Sequence, residues 1–174
     1  MKRILLLTGS PGVGKTTVLT KAAEVFRMKG VSVGGMISRE VRENSVRVGF
    51  EILDLTSGKH GWLAHVNQQN GPIVGKYHVN LDDLDKIGAT AVIEAIEKCD
   101  AIAIDEIGPM ELFSQKFKQA ARQALASRKH VLAVVHAKAK DPIITLALNR
   151  VDAEVFTVTV GTQETLPKEL TSRF

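Results

Sequence analysis

The segment Gly9-Ser10-Pro11-Gly12-Val13-Gly14-Lys15-Thr16 satisfies G-x-x-x-x-G-K-[ST] at every fixed position. No other feature of the chain limits its fold so severely. The motif requires a buried strand before it and a helix after it, and both are legible. Ile4 to Leu7 is an unbroken apolar run, as in a strand covered on both faces. From Lys15 to Lys29, the residues Val18, Leu19, Ala22, Val25 and Phe26 recur at helical spacing, and Gly30 stands where a C-terminal cap belongs. Each residue type in the loop has a physical task. Glycines at 9, 12 and 14 let successive main-chain N–H groups curl around an anion, and the positive end of the following helix adds to that field. Lys15 brings a mobile cation to the β- and γ-phosphates of a nucleotide. The Thr16 hydroxyl is a hard oxygen suited to Mg2+, and Thr17 is placed for the α-phosphate. The loop predicts nucleotide binding but does not name the reaction.

Short apolar runs alternate with helical stripes along the rest of the chain, the βα signature of a mostly parallel sheet flanked by helices. Val46, Val48, Phe50 and Ile52 instead alternate with Arg47, Gly49, Glu51 and Leu53. Thr56-Ser57-Gly58 is a turn signal and Trp62 to Val66 reads as a returning strand, so an antiparallel hairpin is expected beside the parallel sheet. Gly71-Pro72 opens a further loop. Leu84, Ile87, Ala91, Val92, Ala95 and Ile96 mark a second helix, with Asp82 and Asp83 suited to its first turn. Phe113, Phe117, Ala120, Ala121, Ala124 and Leu125 mark a third, and the stripe Phe113–Phe117–Ala121 reads as core. Ala101 to Ile104 and Val131 to Val135 are buried strands. Asp141-Pro142 starts a short helix towards Asn149, and Val155, Phe156 and Val158 lie in a last strand. With no repeat, low-complexity tract or linker, residues 1–174 are expected to form a single nucleotide-binding domain.

The run Ala101-Ile102-Ala103-Ile104-Asp105-Glu106 puts two carboxylates at the end of a buried strand. After a phosphate loop, an acid in this place meets the magnesium shell, which assigns Asp105 to the metal beside Thr16. Glu106, one step further, is placed to orient and polarise a water for attack on the γ-phosphate. A kinase needs the opposite arrangement, with water excluded and an acceptor hydroxyl in its place.

Composition excludes several classes. At 44% hydrophobic and 24% charged residues the chain is neither disordered nor fibrous. The apolar run after Met1-Lys2-Arg3 is too short for a secretory h-region, and no stretch approaches a membrane span. The single cysteine, Cys99, excludes an internal disulfide and reads as an inert buried thiol. A cytoplasmic protein is expected. The net charge is +4, but Lys and Arg are scattered without any run of five, so no nucleic-acid stripe is visible.

Asp105-Glu106-Ile107-Gly108-Pro109-Met110-Glu111-Leu112-Phe113-Ser114, followed by Phe117 and Arg122-Gln123, resembles the THEP-type nucleoside-triphosphatases, a family that includes the vertebrate cancer-related nucleoside-triphosphatase. The likeness extends to Glu40-Val41-Arg42, Arg47-Val48-Gly49-Phe50, Val74-Gly75-Lys76-Tyr77 and Asn149-Arg150. It covers nearly the whole chain in the same order. The resemblance implies a RecA-like P-loop fold and Mg2+-dependent hydrolysis of ATP, GTP and other nucleoside triphosphates with little base preference. It also implies a nucleotide site formed by Gly9 to Thr16 and the Asp105-Glu106 segment. Two positions depart from the family pattern: Pro109 stands where a lysine is common, and Val134 where a threonine is common in the strand.

Three arginines, Arg42, Arg47 and Arg150, share family positions and are candidates to stabilise charge on the transferring phosphoryl group, Arg150 being preferred. His136, after the Val131–Val135 strand, is a further candidate for the phosphates. Trp62 and Tyr77 are expected to pack against the hairpin rather than stack on a base. Two other functions stay open beside hydrolysis. One is a small-molecule kinase, although no arginine-rich lid follows the third helix. The other is a nucleotide-dependent switch or RNA-associated module. The oligomeric state is not legible.

Overall fold

In the computed structural model, which describes residues 2–174, the first apolar run becomes β1 (Ile4–Thr8) and the stripe after the loop becomes α1 (Lys15–Met28). Gly30 takes a φ of 84°, and the Val31 amide reaches back to the Phe26 carbonyl at 3.0 Å, a left-handed cap of the expected kind. β2 (Val33–Glu43), β3 (Val46–Asp54) and β4 (His60–His65) follow. Next comes a small pair, β5 (Ile73–Val74) and β6 (Tyr77–Val79). A composite helix starts at α2 (Leu81–Asp83), passes through a π-turn over Leu84–Ala89 and ends in α3 (Thr90–Lys98). The remaining elements are β7 (Ala101–Ile107), a 3-10 turn (Glu111–Phe113), α4 (Gln115–Ala126), β8 (His130–Val135), α5 (Pro142–Leu148), β9 (Ala153–Thr157) and α6 (Leu166–Thr171).

Among the described residues, nine strands join one mixed sheet in the order β5-β6-β4-β3-β2-β7-β8-β1-β9. From β2 to β9 every pairing is parallel, and from β2 outward to β5 every pairing is antiparallel. The expected hairpin is therefore the β3–β4 part of a larger antiparallel wing. β8 is interposed between β1 and β7, the RecA-like arrangement. That spacing leaves roughly 10 Å between the strand feeding the loop and the strand carrying the acids.

The apolar runs are explained by the two faces of the core. Leu5, Leu7, Ala103, Leu132 and Val134 pack with Val18, Leu19, Phe26 and Leu170, on the side of α1 and α6. Ile4, Leu6, Ile102, Ile104 and Val131 pack with Val92, Phe117, Leu125 and Ile143, on the side of α3, α4 and α5. Each Val, Leu, Ile or Phe among them contributes about 1.5–3 kcal/mol when taken from water.

One core assignment is corrected. Phe113 is 47% exposed, because Ser114 caps α4 by accepting from the Phe117 amide at 2.9 Å. Phe113 thus precedes the helix and falls outside its buried stripe, which keeps Phe117 and Ala121. Among the described residues no helix is long and apolar enough to cross a membrane.

Candidate active site

Residues Gly9 to Gly14 form the turn that carries the chain from the end of β1 into α1. Gly9, Gly12 and Gly14 have φ of 145°, 74° and 98°, backbone that side chains other than glycine's rarely adopt. Space is limiting as well, since a Cβ on Gly9 would lie 2.7 Å from the Val158 carbonyl oxygen. Lys15 folds back across the turn, its Nζ donating to the carbonyl oxygens of Gly9 and Ser10, both at 2.9 Å. The loop is closed on itself by the cation that serves it.

β7 delivers the acids. Asp105 accepts a 2.6 Å hydrogen bond from the Thr16 hydroxyl. The start of α1 and the end of β7 thus meet at one carboxylate that is only 3% exposed. Burial pushes this carboxyl up to about 7; the Thr16 hydroxyl opposes the shift and the charge of Glu106 adds to it. Register between β7 and β8 shifts between Ile104 and Ile107, so the ladder is irregular where the pair stands, and the Asp105–Glu106 peptide is cis. Burial also raises Glu106, while His136 and Lys15 pull it the other way.

Loop, acids and wing enclose one cavity of about 610 Å³. Pro11, Gly12, Gly14, Lys15, Thr16, Asp105, Glu106 and His136 line it, so the structure brings together the loop and acid candidates. Thr17 is exposed and lies outside the lining. His136 follows β8, its amide donating to the Ile107 carbonyl at 3.1 Å. Pro109 also lines the cavity, and the fully buried Val134 sits in β8 facing α1.

The arginines separate. Arg150 is not at this site. β9 runs parallel beside β1, with Ala153 opposite Ile4 and Thr157 opposite Thr8. Arg150 therefore stands at the end of the sheet away from the loop, roughly 15 Å or more along the strands. There it donates to Asp152 at 2.9 and 3.1 Å, a carboxylate that Arg3 also grips at 2.6 Å. Arg150 and Arg3 hold the Asp152 carboxyl down to about 2. Arg42 is spent on Glu40 and the Ser45 carbonyl and does not line the cavity. Arg47 does line it, held by the Tyr77 hydroxyl at 2.8 Å and Glu40 at 3.1 Å. Tyr77 and Phe50, edge to face at 5.2 Å, belong to the cavity wall, whereas Trp62 packs on His65 at 4.5 Å outside it. Cys99 is buried, as expected.

Sequence reasoning passed over three contributors. Arg39 and Glu40 enter the lining from β2. Glu111, at the start of the 3-10 turn, is 2% exposed and lines the same cavity. Burial, then the charges of Glu106 and Asp105, push its carboxyl far above the ordinary range. The only signal for Glu111 was its place in the segment carrying the family resemblance.

Comparison with known proteins gives concordant results. Residues 4–171 match a protein family described as NTPase. The chain is 49% identical over 171 residues to the nucleoside-triphosphatase THEP1 of Methanosarcina acetivorans, covering 98% of this chain and 95% of the relative. It is 45% identical to THEP1 of Thermofilum pendens over 95% of this chain and 91% of that one. Two solved structures are similar in fold. THEP1 from Aquifex aeolicus superposes with a TM-score of 0.85 at 27% identity, covering 98% of both chains. The solution structure of a human cancer-related nucleoside triphosphatase gives a TM-score of 0.80 at 36% identity over 98% of this chain and 97% of that one.

Proposed function

Because the chain belongs to the NTPase family and is a nucleoside-triphosphatase, we propose that it hydrolyses ATP, GTP and other nucleoside triphosphates to the diphosphate and phosphate, with Mg2+ as cofactor. The observation that carries this reading is the convergence of Lys15, the bonded Thr16–Asp105 pair and Glu106 on one cavity.

The residues fit a magnesium ion. Thr16 and Asp105 present hard oxygens 2.6 Å apart, and burial leaves the Asp105 carboxyl short of positive charge. Magnesium commonly takes one or two carboxylates together with substrate phosphates. When bound, the ion supplies charge neutralisation at the β- and γ-phosphate oxygens.

The chain's own residues do the rest. The main-chain N–H groups of residues 12–16 and the positive end of α1 hold the phosphates, and Lys15 exchanges the Gly9 and Ser10 carbonyls for phosphate oxygens. Glu106, raised by burial, accepts a proton from a water aligned with the γ-phosphorus. The water oxygen bonds to phosphorus, and the bond to the bridging oxygen breaks with its electron pair going to the diphosphate. Within one chain Arg39 and Arg47, not Arg150, are the arginines that line the cavity. The same reading places the protein in the cytoplasm, where its single thiol stays reduced.

The test is Glu106→Gln, assayed by phosphate release over a panel of triphosphates with and without Mg2+ and without any acceptor. Triphosphate binding stays near normal while turnover falls by about two orders of magnitude or more. Undiminished turnover in this variant would remove Glu106 from the chemistry. Capture of the phosphoryl group by an added acceptor, in place of its release as phosphate, would favour a kinase.

A further inference from the structure

The cavity extends well past the phosphate loop. Its remaining wall comes from the antiparallel wing, with Phe50, Leu63, Val74 and Tyr77, and Met110 completes it. A phosphate loop needs no such wall. The lining includes Lys15 and Thr16 but not Thr17. The wing lies beyond β7 as seen from β1, so the extra space opens past Asp105 and Glu106, the side assigned to the terminal phosphate. A volume of 610 Å³ lies within the range that encloses a small organic molecule, roughly 300–1,000 Å³.

The polar groups of this space define what it would accept. Its cations are already bonded: Lys15 to two carbonyls, Arg39 to Glu51 at 2.6 Å, and Arg47 to Tyr77 and Glu40. Asp105 is bonded to Thr16. Glu111 differs. Although 2% exposed, its Oε2 has no hydrogen-bond partner among the described residues, and Nδ1 of His136 in the same lining has none either. A buried carboxyl oxygen left without a partner is costly, and a ligand group that bonds to it removes that cost. Flat rings at Phe50 and Tyr77, aliphatic walls and the unpartnered atoms of Glu111 and His136 together favour a planar ligand that carries hydrogen-bonding groups.

We propose that the wing end of the cleft binds a second small molecule, a planar amino-substituted heteroaromatic compound whose ring packs against Phe50, Val74 and Tyr77 and whose N–H group donates to Glu111. This rests on the reading of the loop as the triphosphate site, because the second molecule sits beyond the terminal phosphate.

The experiment is calorimetry on the full chain with 2-aminobenzimidazole as probe, alone and with the loop saturated by a non-hydrolysable triphosphate analogue. One saturable site is expected, its affinity retained when the analogue is bound. The methylated control 1-methylbenzimidazole, which has no N–H, binds at least tenfold more weakly. Val74→Trp fills the wing end and weakens the probe at least tenfold, while binding of the triphosphate analogue is unchanged. Absence of saturable binding, displacement of the probe by the analogue, or full affinity in Val74→Trp or for the methylated control would each overturn the proposal. Failure of the analogue itself to bind would overturn the triphosphate reading and leave the probe result to be judged separately.

Discussion

The side-chain amide of Gln163 donates to the main-chain carbonyl of Val13, tying the segment before α6 to the phosphate loop across 150 positions of sequence. The same side chain fills the space beside Gly14, where an added Cβ would meet it at 3.1 Å. The loop is thus braced from outside as well as by Lys15 within. Gln163→Ala should weaken triphosphate binding by about 1 kcal/mol, roughly fivefold, with a smaller effect on kcat. Calorimetry on the variant decides it, and unaltered affinity would show that the loop holds its shape unaided.

The Thr16–Asp105 pair predicts a cofactor phenotype distinct from that of Glu106. Thr16→Ala and Asp105→Asn should each raise the Mg2+ concentration for half-maximal phosphate release by about tenfold or more. Nucleotide binding without Mg2+ should change far less. If both variants kept the wild-type Mg2+ dependence, the pair would have no part in holding the ion.

Arg150 should matter to stability rather than to turnover. Arg150→Ala leaves kcat near wild type and lowers stability by about 1 kcal/mol, a fall in Tm of about 2–4 °C. A loss of kcat by orders of magnitude at intact fold would mean that Arg150 reaches a site in another copy of the chain.

Asp152 adds a pH dependence with a definite sign. Its folded pKa is depressed to about 2, so its contribution is complete above the ordinary aspartate range and disappears as pH falls towards 2. The stability difference between wild type and Asp152→Asn should be constant above about pH 4 and shrink below it. Urea titrations across that interval would show it, and a gap that persisted at pH 2 would contradict the assignment.

Gly35 permits the sharpest fold prediction. Its φ is 108°, and an added Cβ would stand 2.0 Å from the Ala103 carbonyl oxygen in the neighbouring strand. Gly35→Ala should cost more than about 3 kcal/mol, because both strain and a backbone clash act on it. A variant with wild-type denaturation would show that β2 and β7 separate more easily than their pairing implies.

How much the sequence could reveal depends on where each signal resides. β1, β7 and β8 were legible because burial on both faces writes unbroken apolar runs, and the phosphate loop because its geometry restricts residue types locally. β2 was not legible. Gly34-Gly35 reads as a break, yet these glycines are there for tertiary reasons, since a Cβ on Gly34 would lie 2.7 Å from the Cys99 sulfur. α6 is too short at 6 residues to display a period. Arg150 failed as a candidate because family position says nothing about which end of a strand faces the loop. That depends on the register of β9 against β1. Tyr77 and Glu111 owe their places in the cavity to two short segments, the β5–β6 pair and a single 3-10 turn, which periodicity cannot register.

The length of β2 has a mechanical consequence. Its first residues pair with β7 from Val33 to Met36, and the strand continues to Glu43 against β3. A single girder of 11 residues therefore belongs to both sides of the cleft. The two sides cannot swing apart like jaws on a pivot without bending that girder. The short stretches 71–76 and 108–113 contribute lining residues outside that girder, so ligand binding should stiffen them, as slower amide exchange there would register.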